Sequence, residues 1–132
     1  MKGKTGALVF NPGSGKGKGA ERAQDFAKRW KHETGTDLAL RPTRSREDIR
    51  VAARETMTAG DVQIFMGGDG TLSESVQGLS EATNFLPLTR PVGLLAGGTG
   101  NSFLRDFGIR DYKESADALL LSLKEASVIK SD

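Results

Sequence analysis

Cysteine is absent from the 132 residues, which removes disulfide frameworks, thiol nucleophiles and thiolate metal sites and fits a reducing cytoplasm. There is a single histidine, one tryptophan and one tyrosine. Aromatics make up only 6% of the chain and are not interleaved with basic side chains, so nothing prepares it to stack bases, and nucleic acid is not an expected partner. No apolar run approaches the roughly 18–20 residues of a membrane span, and the opening MKGKTGALVF does not read as a signal-peptide core. Neither sign of charge dominates, with 19 Lys/Arg against 17 Asp/Glu and a net charge of +2. What is plentiful is glycine, 17 residues of 132, gathered in three loops rather than smeared along a linker. Charge is uneven along the chain: residues 1–60 carry 13 basic and 7 acidic side chains, residues 61–132 carry 6 and 10. A basic half suits phosphate groups or an anionic membrane surface, and equally a set of solvated helix faces.

Short apolar runs alternate with segments of helical period. ALVFN (7–11) reads as a strand, followed by the loop PGSGKGKG. Ala23, Phe26, Ala27 and Trp30 share one face of a helix over 20–33, with Phe26 and Trp30 as core anchors and His32 on the solvent side. DLALR is a second strand. Ser45 starts a helix, with Asp48 three residues on as in a capping box and Ile49, Ala52, Ala53, Thr56 and Met57 as its inward stripe. VQIFM is a third strand, and Leu72, Val76 and Leu79 mark the inner side of a short helix after it. PVGLLA (91–96) is a fourth strand, and GGTGNSFLRDFGI is a glycine turn entering a helix with Phe103, Leu104 and Phe107 inward. Asp111 with Glu114 opens a last helix whose inner face is Ala116, Leu119, Leu120 and Leu123. The closing EASVIKSD reads as the beginning of another β-branched strand, as in a piece of a longer protein.

This alternation, joined by short loops, predicts an α/β fold: one three-layer α/β/α, Rossmann-like domain over residues 1–132 with a mostly parallel sheet, right-handed crossovers and apolar strands covered on both faces. Ligands of such sheets sit beyond the carboxyl ends of the strands. The clusters Gly13–Gly19, Gly67–Gly70 and Gly97–Gly100 each follow a strand end, so they are expected to meet along one edge.

The first loop is not a Walker A loop, because Gly13 stands one residue too close to the Gly17-Lys18 pair and Gly19 follows the lysine. Gly15, Gly17 and Ala20 fit a loose dinucleotide pattern, but Gly15 lies four residues past Asn11 and no acid ends the second strand to hold a ribose. What remains is bare backbone for phosphate oxygens, with Lys16 and Lys18 adding charge near a helix start. In GGDGT, Gly67 and Gly68 permit positive φ and backbone contact, Asp69 is held at a strand end, and Thr71 can cap the next helix and donate to phosphate. A carboxylate beside polyphosphate is repulsive unless a divalent cation or a transferable proton lies between them. Asp69 therefore implies Mg²⁺, directly or through water, or activation of an attacking hydroxyl. The plain structural alternative is an Asx turn and an ordinary cap. GGTGN repeats the device with Thr99 and Asn101. Arg44, Arg46, Arg50 and Arg54 read either as a solvated face or as a phosphate-attracting one.

Together, NPGSG after the first strand, GGDGTLSESVQGL after the third and GGTGNSFLRDFGI after the fourth resemble the catalytic domain of the diacylglycerol kinase family over residues 5–130. That family includes sphingosine and ceramide kinases and soluble microbial lipid kinases. NAD kinases are similar in the aspartate turn but lack the Asn-Pro loop and the GTGN helix opening. The resemblance implies an NAD-kinase-like or diacylglycerol-kinase-like N-terminal domain that uses ATP and Mg²⁺. Its reaction would pass the γ-phosphoryl group to a lipid hydroxyl, such as that of diacylglycerol or a sphingoid base. The protein would be cytoplasmic, touching the membrane surface only peripherally.

Residue by residue, the resemblance implies that Asn11, Pro12, Gly13, Ser14 and Gly15, with Lys16 beside them, line the nucleotide phosphates and ribose, and that Thr43 touches the nucleotide. Gly67, Gly68, Asp69, Gly70 and Thr71 would form the phosphate turn, with Asp69 as the catalytic and metal-side residue and Glu74 in support. Gly98, Thr99 and Asn101 would form the second turn, with Arg105 matching the arginine of the usual "ND-x-AR" string, while Ser102 replaces the usual aspartate. The family's second, β-rich domain supplies acidic metal-site residues, the lipid pocket and, in several members, the general base; the resemblance finds none of it in these 132 residues. Two other readings stay open: a nucleotide-binding module without catalysis of its own, and a small-molecule kinase acting on NAD. Monomer and homodimer stay open too.

Overall fold

GALVF and VQIFMG offer almost nothing but apolar side chains, and these runs become β1 (Gly6–Phe10) and β3 (Val62–Gly67), buried at every position. A computed structural model of the chain describes residues 2–83, 92–96 and 112–130. Around the two central strands lie α1 (Ser14–Gly17), α2 (Gly19–Thr34), β2 (Ala39–Pro42), α3 (Arg46–Thr56), α4 (Asp69–Ala82), β4 (Val92–Ala96) and α5 (Tyr112–Lys130). All pairings in the four-stranded sheet are parallel, in the order β2-β1-β3-β4. Leu8 stands between Leu40 and Ile64, and Gly67 stands beside Ala96. The chain steps outward from β1 to β2 and then crosses back to β3. The connections thus reverse direction between β1 and β3, where open sheets of this kind hold ligands.

Helices cover both faces, giving the three layers expected. On one side Leu8, Phe10, Ile64, Met66 and Leu95 pack against Phe26 and Trp30 of α2 and Ala116 and Leu120 of α5. On the other, Val9, Phe65 and Ala96 meet Ala52 and Ala53 of α3 and Leu72 and Leu79 of α4. Glycine opens β1 for a steric reason: a Cβ on Gly6 would lie 3.0 Å from Cζ2 of Trp30. The buried indole N–H of Trp30 donates to Oγ1 of Thr36 at 3.1 Å, and that hydroxyl donates to the Lys4 carbonyl at 2.6 Å. Gln63, the one polar side chain within β3, is satisfied in the same manner, donating to the Ala53 carbonyl and to Thr56 Oγ1 at 2.7 Å each.

Several expectations change. β2 begins two residues later than DLALR suggested and is an edge strand, mostly exposed, where Pro42 is tolerated. Val76 is 45% exposed, because α4 turns Leu72, Ser75 and Leu79 inward and leaves Val76 off that stripe. The loop after β1 contains a helical turn, α1, in which the Gly17 N–H donates to the Gly13 carbonyl at 3.1 Å. The chain leaves that turn through left-handed backbone at Lys16 and Gly17 (φ 60° and 86°). EASVIK is the end of α5, not a new strand: the run of Leu, Lys, Glu and Ala before it favours helix and carries Val128 and Ile129 along. Phe103, Leu104 and Phe107 lie outside the described residues, and nothing of the Leu123 side chain is described. Among the described residues no helix is long and apolar enough to cross a membrane.

Candidate functional site

The carboxyl ends of β1, β2 and β3 open onto a cleft of about 290 Å³, lined by Asn11, Thr43, Arg44, Ser45, Arg46, Ile49, Gly68, Gly70 and Thr71. Each wall is fixed by local chemistry. After β1, the Asn11 side-chain oxygen accepts the Gly13 N–H at 3.0 Å, an Asx turn that folds the chain back at once. After β2, the N–H and hydroxyl of Thr43 both donate to the Phe10 carbonyl, at 2.8 and 3.3 Å, and dock the end of β2 onto the end of β1.

The bend into α3 is held more elaborately. Ser45 Oγ accepts the Asp48 N–H at 3.1 Å and caps the helix. The return bond of the expected capping box is displaced by one residue, since the Asp48 carboxylate accepts the Arg44 N–H at 2.9 Å. The Arg41 guanidinium grips the same carboxylate with two bonds, of 2.9 and 3.1 Å, and these hold Asp48 below the ordinary carboxylate range, with the Arg44 N–H contributing. With this clamp behind it, the bend sets Arg44 and Arg46 at the cleft wall.

At the third wall the glycines serve a purpose different from the one expected. Neither Gly67 nor Gly68 has a positive φ; Gly68 is the N-cap of α4 in extended backbone, with φ −82° and ψ −173°. Gly67 is required by close approach instead, because a Cβ there would lie 2.5 Å from the Thr71 Cβ. A Cβ on Gly68 would meet nothing within 4 Å, and one on Gly70 would lie 3.3 Å from Nη2 of Arg46. Thr71 is therefore not the cap: it is the third residue of α4, folded against the strand end. Among the described residues no side chain caps this helix, which leaves its first-turn N–H groups as donors. The charged residues lining the cleft, among those described, are Arg44 and Arg46. Anions are favoured there by charge and by the start of α4 together.

Of the residues singled out from sequence, Asn11, Thr43, Gly68, Gly70 and Thr71 come together in this cleft, with Gly67 directly behind Thr71. Asp69 begins α4 between two lining glycines, and nothing of its side chain is described. Pro12 and Gly13 belong to the Asx turn and Lys16 is exposed, and these three are not among the residues lining the cleft; Ser14 and Gly15 begin α1, and nothing of their side chains is described. Glu74 points to α3, accepting from Nε of Arg50 at 2.8 Å. Gly98, Thr99, Asn101, Ser102 and Arg105 lie outside the described residues. Sequence reasoning left Arg44 and Arg46 undecided and passed over Ser45 and Ile49 as wall residues; the signal was the string TRSRE directly after the Thr43 strand end. Among the described residues no group of three or more His, Cys, Asp or Glu could hold a metal ion.

Fold and site together define a parallel α/β/α domain with a cationic, glycine-floored cleft at its strand-order reversal. The chain belongs to the diacylglycerol kinase catalytic domain family, whose model matches residues 5–131. It is 30% identical over 121 residues to diacylglycerol kinase of Bacillus subtilis (strain 168), an alignment covering 89% of this chain and 38% of that protein. It is 32% identical over 121 residues to diacylglycerol kinase of Mycobacterium tuberculosis (strain ATCC 25618 / H37Rv), covering 89% and 37%. Sphingosine kinase B of Dictyostelium discoideum is 26% identical over 115 residues, covering 86% of this chain and 15% of that one. The crystal structure of a diacylglycerol kinase from Bacillus anthracis str. Sterne matches with a TM-score of 0.70 at 27% identity, over 90% of this chain and 42% of that one. The chain thus spans less than half the length of these relatives.

Proposed function

We propose that this chain is the nucleotide-binding part of an ATP-dependent lipid kinase, which passes the γ-phosphoryl group of Mg-ATP to a lipid hydroxyl such as that of diacylglycerol or a sphingoid base. The observation that supports this reading is the cleft at the β1/β3 reversal. Among the described residues it offers the Ser45 and Thr71 side chains, bare glycine backbone and two guanidinium groups to phosphate. The family and the names of its relatives point to the lipid acceptor.

In phosphoryl transfer the acceptor oxygen attacks the γ-phosphorus, ADP leaves, and the hydroxyl proton passes to a base. The protein contributes mainly positioning and neutralisation of charge. Here the first-turn N–H groups of α4 would receive phosphate oxygens, while Asn11 and Thr43 shape the wall beside them. Magnesium, when bound, would offset the charge of the phosphoryl oxygens. Asp69 is this chain's candidate to hold it, directly or through water, or to take the acceptor's proton. The acceptor would be met at a membrane surface by peripheral contact from the cytoplasm.

A second reading, a nucleotide-binding module without catalysis of its own, is favoured by the chain's spanning only 38% of one relative and 42% of another. Incubating the chain with labelled Mg-ATP and diacylglycerol or sphingosine separates the two: phosphorylated lipid refutes the module, and nucleotide binding without product refutes catalysis by this chain alone. The site itself is tested by Gly70→Val, whose side chain would push against Arg46 and fill the cleft. We expect a loss of Mg-ATP affinity of about tenfold or more, on the order of the 1–3 kcal/mol that overpacking costs. Wild-type affinity in that variant would end the assignment.

A further inference from the structure

Arginines on one face of α3 meet α4 in register. Arg50 donates from Nε to Glu74 at 2.8 Å and from Nη1 to Glu81 at 2.9 Å. Gly78 lets the two helices approach, since a Cβ there would lie 3.2 Å from Cα of Arg50 and 3.3 Å from the Ala53 Cβ. One turn earlier, Arg46 crosses to α4 in the same manner, with Nη2 3.3 Å from where a Cβ of Gly70 would stand. Residues 46 and 50 on one helix and 70 and 74 on the other are four apart, so these are successive rungs of one seam.

The rungs differ in one respect. On the inner rung an arginine finds a glutamate; on the outer rung an arginine finds a glycine. Nearby Arg41 is also engaged, by Asp48 and Glu55. Among the described residues, nothing bonds to or ion-pairs with the Arg46 guanidinium, which is exposed and lines the cleft. The seam thus shows, among the described residues, no negative charge at its open end.

We infer that Arg46 reads the number of phosphates on the bound nucleotide: a phosphate beyond the one received by the N–H groups of α4 takes the place that a carboxylate fills on the Arg50 rung. A guanidinium suits this role because its planar fork meets phosphate with two parallel bonds. The inference rests on the nucleotide reading above and adds to it a specificity residue, favouring di- and triphosphates over monophosphates. Gly70 is part of the device, because a larger residue would displace the arginine.

Calorimetric titration with ATP, ADP and AMP, each with magnesium, tests this on the 132-residue chain and on R46Q, R46K and R54Q. Arg54 is an exposed residue of α3 outside the cleft, so R54Q removes the same charge elsewhere. We expect R46Q to weaken ATP and ADP by about 10- to 100-fold, the range of a charged hydrogen bond, and AMP by less than about twofold. R46K should recover part of the loss, R54Q should match wild type, and R46Q should melt as wild type does, since the Arg46 guanidinium holds nothing among the described residues. If R46Q binds ATP as wild type does while Gly70→Val does not, Arg46 is overturned and the cleft stands. Equal losses for ATP and AMP overturn the phosphate reading. A wild-type chain that binds none of the three overturns both the inference and the nucleotide site beneath it.

Discussion

Phe26 and Trp30 fill the layer between the sheet and α2, whereas Ala52, Ala53 and Gly78 stand at similar depth between α3 and α4. The first layer joins its parts through bulk: the two rings lie 6.5 Å apart and tilted by 42°, against strand residues that are almost wholly buried. The second brings backbones together, lets Arg50 reach across from α3 to two carboxylates of α4, and ends in the cleft. Large apolar contacts fix where the strands are. Small residues fix how near α3 and α4 can come, and the proposed anion site lies where these helices begin. On the proposed reading, stability and recognition are thus divided between opposite faces of one sheet.

Substitutions on each face can break or sharpen that division. Trp30→Ala should have the largest effect on stability, about 3–5 kcal/mol by chemical denaturation, because it empties a buried site against Gly6. Nucleotide affinity of the folded fraction should stay unchanged; a lost affinity would show that the faces are not separable. Gly67→Ala should cost about 1–3 kcal/mol, since the new methyl group must displace Thr71. Unlike the tryptophan variant, it should also weaken binding, and a thermal melt beside a titration reads both effects. Ser45→Ala removes the cap of α3 and should cost about 1 kcal/mol in the same melt, with a smaller effect on affinity.

The subtlest test is of pH. Asp48 is held below its ordinary pKa by Arg41, so the stability it contributes is fully present above an unfolded value near 4 and is lost as pH falls below that. Asp48→Asn should lack that part of the acid slope while keeping the remainder. Denaturation midpoints between neutral and acidic pH compare the two proteins.

The parallel sheet was legible because β1 and β3 are unbroken apolar runs and the helices carry clean stripes. Gly68, Gly70 and Thr71 were legible in the glycine cluster after β3, and Asn11 and Thr43 in the family resemblance. Of the other two clusters expected to meet there, Gly13 and Gly17 do not line the cleft and Gly97–Gly100 lies outside the described residues. Arg44 and Arg46 were visible as charges, but their role depends on what faces them. Arg50 and Arg46 have the same spacing on α3 and differ only in meeting Glu74 or Gly70 across the seam, a tertiary fact. Gly67 and Gly68 were read as permitting both positive φ and backbone contact, because residue type does not distinguish a required dihedral from a required gap. Gly67 turned out to need the gap. Val128 and Ile129 suggested a strand through local preference, which the preceding helix overrode.

The most direct test of the division between the two faces is to follow backbone amide NMR signals while Mg-ATP is added. The expected result is that shifts concentrate at Asn11–Gly13, Thr43–Arg46 and Gly68–Thr71, with the α2 and α5 faces unmoved. Shifts centred on α2 and α5, or no shifts at nucleotide concentrations that saturate kinases of this family, would contradict it.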